Sequence, residues 1–166
     1  PGADGVVQIP WLNDARNVIY TLDGGVGKMP GTAKLNNSAL ESGANVMGLY
    51  DYWHQGVTAT PIQHRVIHVG TKIKADNADG VFANIGTGFQ SGAVPNYSTF
   101  DDLLIIGSDA TADVPKSWDG TTFQSLAGTP PRFSFSTAHK NRQWAAGNFT
   151  NPSRLYYSVN LNPEDW

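Results

Sequence analysis

The chain has 166 residues, of which 15% are charged against roughly 25% in an ordinary soluble domain, with a formal net charge of −3 and a pI near 5.7. No basic block exists to grip phosphates, which argues against a nucleic-acid footprint, and the absence of cysteine removes disulfides and thiolate metal centres. No apolar run reaches the roughly 18 residues of a membrane-spanning helix, so membrane insertion is not expected.

Eighteen Gly and ten Pro, together with abundant Asn, Thr and Ser, favour strands and turns over long helices. Residues 1–17 read as an irregular arm in which Val6–Ile9 forms a short strand ended by Pro10. Asn17–Leu22 is rich in β-branched and aromatic residues. Asp23-Gly24-Gly25 turns the chain, and Val26–Met29 returns as a hairpin partner. Residues 32–45 are the best helix candidate, ended by Gly43. Together, 1–45 make an N-terminal arm and first hairpin, and 46–166 a run of β repeats.

Val46–Trp53 is predicted as a strand with aromatics at alternate positions. Residues 55–60 are a polar loop, Gln63–Val69 the next strand, and Thr71–Ala75 a half-buried one. Residues 86–98 read as a long Gly/Ser/Pro loop. Leu103–Ile106 is the most apolar strand, and 108–114 a polar loop. Phe133–Ser136 and Leu155–Ser158 are the last strands. The loops 54–62, 86–99 and 108–116 are candidates for contacts between subunits.

The pattern repeats. Asp79-Gly80 is answered forty positions later by Asp119-Gly120. Each is preceded by an apolar run closed by glycine: Val66–Gly70, then Leu103–Gly107. Arg142–Gly147 is a third such run. That interval is near the length of one four-stranded propeller blade. The expected fold is all-β, with repeating antiparallel blades, β-propeller-like. The chain starts without Met and stops at Trp166 in mid-pattern, so it reads as an incomplete propeller, a piece of a longer protein.

No catalytic or metal constellation stands out. Asp101-Asp102 lie on opposite faces if extended and cannot readily share a proton. His64 and His68, four apart on a strand, are roughly 13 Å from each other, too far for one metal ion. His54 and His139 have no partner at ligand spacing. No nucleophile elbow or phosphate-binding glycine loop occurs. Ser117–Phe123 is similar to the Asp-box turn of sialidase-type propellers, one residue short. Its expected role is structural, with Asp119 capping backbone amides. A glycosidase would need two acids roughly 5–9.5 Å apart. Asp51, Asp79, Asp119 and Glu164 are the available donors, and their spacing singles out no pair. The tryptophans read mainly as core.

Three blocks near the C-terminus carry a resemblance: His139–Gly147 (His-Lys-Asn-Arg-Gln-Trp-Ala-Ala-Gly), Asn151–Ser158 (Asn-Pro-Ser-Arg-Leu-Tyr-Tyr-Ser) and Asn162–Trp166 (Asn-Pro-Glu-Asp-Trp). With Ala15–Val18, Gly25–Gly31 and Pro115–Gly120, they resemble structural proteins of tailed bacteriophages. Gln143 stands where that group more commonly has Leu, a change of little weight if the side chain faces out. The resemblance implies a virion tail or neck component, such as a nozzle. It would be made in the host cytoplasm, and it would work by assembly and not by catalysis.

The resemblance implies no cofactor. The implied partners are other virion proteins, further copies in a ring, and viral DNA in passing contact. Tyr50, Tyr52, Trp53, Arg142 and Arg154 are the candidate ligand or subunit contacts. Arg142 and Arg154 could also anchor carboxylates or carbonyls between blades. A carbohydrate- or receptor-binding β module of a phage tail is the competing reading, and a propeller-type glycosidase the third.

Overall fold

The computed structural model describes residues 18–20, 26–28, 33–36, 38–56, 60–77, 79–109 and 111–166. The chain forms two compact units, 1–34 and 35–166. In the first, β1 (Val18–Tyr20) pairs antiparallel with β2 (Val26–Lys28), in the register Val18↔Lys28, as expected. The expected arm and the Val6–Ile9 strand lie outside the described residues.

The second unit is all-β, with no helix among its described residues. The helix expected over 32–45 is not formed. Asn36 donates from its amide to the Ser38 carbonyl, a local bond that competes with helix. The Ala44 N–H reaches only to the Glu41 carbonyl, and Gly43 takes a φ of 71°. Glu41 is bound instead to Lys72 Nζ at 2.9 Å, which ties this turn to the strands that follow.

Three antiparallel sheets follow in chain order, each a simple meander. The first contains β3 (Val46–Gln55), β4 (Pro61–Val69), β5 (Lys72–Asp76) and β6 (Ala83–Thr87). The second contains β7 (Pro95–Phe100), β8 (Leu103–Ser108), β9 (Lys116–Trp118) and β10 (Phe123–Ser125). The third has β11 (Phe135–His139), β12 (Arg142–Ala146) and β13 (Tyr156–Tyr157).

The repeat seen in the sequence is now explained. All three glycine-closed runs are the second strand of a sheet: β4, β8 and β12. Both Asp-Gly pairs sit in the turn between third and fourth strands, with the same Asx geometry. Asp79 Oδ1 accepts from the Val81 N–H at 2.8 Å, and Asp119 Oδ1 from the Thr121 N–H at 2.8 Å. The hairpin from β11 to β12 turns on Lys140-Asn141, at φ 47° and 58°, the left-handed pair of a tight two-residue turn.

The sheets stack in series. β7 lies beside both β3 and β11, and β10 lies beside β6. One apolar layer holds Tyr52, Val66, Ile73, Phe89, Leu104 and Trp118, between the first and second sheets. The other holds Phe100, Ile105, Leu126, Phe133 and Ala145, between the second and third. Strand alternation puts Leu104 and Ile106 of β8 in the first layer and Ile105 in the second. This is why Leu103–Ile106 reads as a continuous apolar run: the strand is covered on both faces. The stack is open and, among the described residues, closes into neither barrel nor propeller.

The loop expected over 86–98 is shorter than anticipated, because β7 begins at Pro95. The remaining segment folds inward. Phe89 is buried in the first layer, and the Gln90 N–H bonds Asp113 Oδ1 at 3.0 Å. Asp113 also accepts from Ser108 Oγ at 2.5 Å. The segments before β7 and after β8 therefore hold each other.

Candidate functional site

Two places gather side chains that could act on something outside the fold. The first is a cleft at the end of the first inter-sheet seam. Tyr52 and His54 alternate on the inner face of β3, and His64 faces them from β4, opposite Tyr52 in register. His54 is therefore the diagonal neighbour of His64. Their Nε2 atoms are 3.1 Å apart. The rings are within 9° of parallel with centroids 5.2 Å apart, so they meet edge to edge through those nitrogens.

His64 Nδ1 bonds the Asp76 carbonyl at 3.2 Å, which fixes the proton on Nδ1 and leaves Nε2 as an acceptor. Trp118 of β9 packs edge-on against His64, with centroids 4.9 Å apart. Asp119 and Gly120, in the turn after β9, complete the wall of an open cleft of about 570 Å³, together with Asn77 and Thr121. Burial pushes the His64 imidazolium below its usual pKa, and His54 adds to this. Backbone N–H groups, chiefly that of Thr122, hold the Asp119 carboxyl below its usual range.

The pairing of His54 with His64 corrects the expectation that His54 has no partner. The ten-residue separation spans a hairpin, and no spacing rule for a single strand or helix would find it. His64 and His68 do not meet. His68 is fully buried and bonds the Ala93 carbonyl through Nδ1 at 3.0 Å. Among the described residues, no group of three or more His, Cys, Asp or Glu is placed to hold a metal ion.

The second place is the outer face of the third sheet. Alternation points Phe135 and Thr137 of β11, Arg142, Trp144 and Ala146 of β12, and Tyr157 of β13 away from the second sheet. Phe135 is 64% exposed and Tyr157 55%. Trp144 packs on Tyr157 and donates its indole N–H to the His139 carbonyl at 3.0 Å. Phe135, Trp144, Leu155 and Asn96 line an apolar groove of about 330 Å³.

The five candidate contact residues scatter. Tyr52 is fully buried, its hydroxyl donating to the Asp102 carbonyl, and cannot meet a ligand or another subunit. Burial pushes its phenol pKa upward. Tyr50 stacks on Tyr97 at 5.4 Å and bonds Thr99 Oγ1, so it too lies within the seam. Trp53 is on the opposite face of β3, half exposed, its indole N–H held by Asp51 Oδ2 at 3.0 Å. Arg142 lies over the Tyr157 ring at 5.1 Å and donates to the Ser158 carbonyl at 2.7 Å. It thus anchors its own sheet. Arg154 is exposed, in a turn closed by its N–H on the Asn151 carbonyl.

Three of the four acids named as donors are engaged locally, while Glu164 Oε1 is buried with no hydrogen-bond partner. Asp51 accepts from Trp53 and Gln63, and Asp79 and Asp119 hold turns. Ser117, the first residue of the box-like turn, is buried with no hydrogen bond to its Oγ. Gln143 faces inward, so its departure from Leu has weight: it is fully buried and donates from Nε2 to Ser98 Oγ at 2.7 Å.

Comparison with protein-family models, with curated proteins and with solved structures gives no match.

Proposed function

We propose that this chain is a structural module of a tailed-phage virion, a tail or neck component whose sheets are successive blades of a propeller-like body, and that it acts by assembly. The observation that carries the reading is the serial stack. Three antiparallel meanders follow in chain order, and the second is buried on both faces by its neighbours. A module of this kind grows by adding another sheet to an open face.

The third sheet presents such a face in Phe135, Trp144, Leu155 and Tyr157. Contiguous exposed apolar surface of this sort is a mark of association. The occupant is a second copy of the chain, arranged head to tail so that a ring can close. The sequence blocks at 139–147, 151–158 and 162–166 supply the likeness to virion proteins.

The test is to raise antibodies to the folded module and label purified particles of the phage that encodes it. Labelling of the tail or neck, at a copy number set by a symmetric ring, supports the reading. Particles that infect normally and lack the polypeptide refute it.

A carbohydrate-binding reading has one observation in its favour. Trp53 lies half exposed beside Asp51 and Gln63, which are joined at 2.8 Å, so a flat ring stands next to polar groups. Quenching of tryptophan fluorescence by host polysaccharide, lost in Trp53→Ala, would favour it.

A further inference from the structure

We propose that His54 and His64 form a two-imidazole chelate for a borderline divalent cation, of which Zn²⁺ is the representative. This site is separate from the assembly face.

Three observations converge. The Nε2 atoms lie 3.1 Å apart. Two imidazole nitrogens on one tetrahedral zinc, each about 2.0–2.1 Å from the metal, sit roughly 3.3 Å from each other. The separation already fits, and only the direction of the rings must tilt toward the cleft. Second, His64 Nδ1–H is held by the Asp76 carbonyl, the outer contact that fixes the tautomer and orientation of a ligating histidine. Third, both rings line the open cleft, and the turn opposite carries glycine where a side chain would collide with the nitrogens. A Cβ on Gly120, whose φ is 93°, would lie 2.5 Å from both Nε2 and Cε1 of His54. Glycine there lets the turn pack against the His54 ring without a side chain driven into Nε2.

The cleft admits water to complete the coordination shell, and Asp119 and Asn77 stand on its wall. A neutral nitrogen pair selects Zn²⁺, Ni²⁺ or Cu²⁺ over Mg²⁺ or Ca²⁺, which want oxygen. The protons balance. In the free pair, His54 Nε2–H donates to His64 Nε2. On binding, that proton moves to His54 Nδ1, both Nε2 lone pairs go to the metal, and no net proton is released from the neutral pair.

The experiment is a titration with ZnCl₂ at pH 7.5, followed by calorimetry and by imidazole ¹⁵N NMR. The expected result is one equivalent bound. Nε2 of His54 and His64 should shift while His68 and exposed His139 stay still. The binding heat should be lost in His54→Gln and in His64→Gln, retained in His139→Gln, and unaffected by excess Mg²⁺. Should His64→Gln fail to fold, the shifts in the unaltered chain and the heat of His54→Gln decide alone. Absence of any shift at millimolar Zn²⁺ overturns the proposal, and so does undiminished binding by folded His54→Gln.

Discussion

Gln143 Nε2 donates to Ser98 Oγ at 2.7 Å, joining β12 to β7 across the seam between the second and third sheets. Ser98 also meets Ser136 Oγ at 2.9 Å, and Ser136 in turn donates to Asn96 Oδ1 from both its N–H and its hydroxyl. A polar strip therefore runs along a seam that is otherwise apolar.

Gln143 Oε1 is buried with no hydrogen-bond partner. An unsatisfied carbonyl costs about 1–3 kcal/mol, and replacing it with an apolar group of similar shape can be neutral or better. Gln143→Leu is expected to leave the unfolding free energy unchanged or raise it by about 1 kcal/mol, since Ser98 keeps Ser136. A loss above roughly 2 kcal/mol in urea unfolding would show that the amide bond holds the seam.

Asp76 is 2% exposed and accepts from Arg65 Nε at 3.2 Å, Arg65 Nη2 at 3.0 Å and the Gly80 N–H at 2.9 Å. Asp76→Ala leaves these donors without their acceptor and is expected to cost about 3 kcal/mol. Glu41→Ala, which breaks the exposed pair with Lys72, should leave the urea midpoint unchanged within error. Equal losses in the two variants would contradict this ranking.

Gly107 in β8 lies against Phe133. A Cβ there would stand 2.5 Å from the ring carbon Cδ2 and 2.6 Å from the Phe133 carbonyl oxygen. Backbone cannot yield as a side-chain tip can. Gly107→Ala is expected to destabilise by about 1–3 kcal/mol through overpacking. An unaltered midpoint would mean that the second and third sheets are farther apart than described.

Burial pushes the imidazolium forms of His64 and His68 below their usual pKa. The unfolded chain takes up protons at about pH 6.5, while the folded chain resists. Stability from these two groups is therefore complete above that pH and declines as the pH falls through and below it. Urea midpoints measured from pH 8 to pH 5 should be level at first and then drop. A midpoint that stays level or rises toward pH 5 would contradict the burial of both rings.

The repeat was legible in the sequence because its signals are local. Asp-Gly turns and glycine-closed apolar runs depend on their own backbone, and they mark the second strand of all three sheets and the third turn of the first two. What was hidden is what faces across a seam. β7 carries Asn96 and Ser98 toward β11 and Tyr97 toward Tyr50. Its buried polar side erased the hydrophobic alternation, and the strand read as loop. The orientation of Gln143 was open for the same reason, as a polar residue whose partner lies 45 positions away. The His54–His64 pair needed the register of a hairpin, which no spacing rule supplies.

The open face of the third sheet is proposed as an assembly surface for another copy. Sedimentation equilibrium across a range of concentrations tests it most directly, comparing the unaltered chain with a Phe135→Glu/Trp144→Glu double variant. The unaltered chain is expected to form species larger than a monomer, and the double variant, folded by circular dichroism, to stay monomeric. A monomer at every concentration for the unaltered chain, or equal association by both, would contradict it.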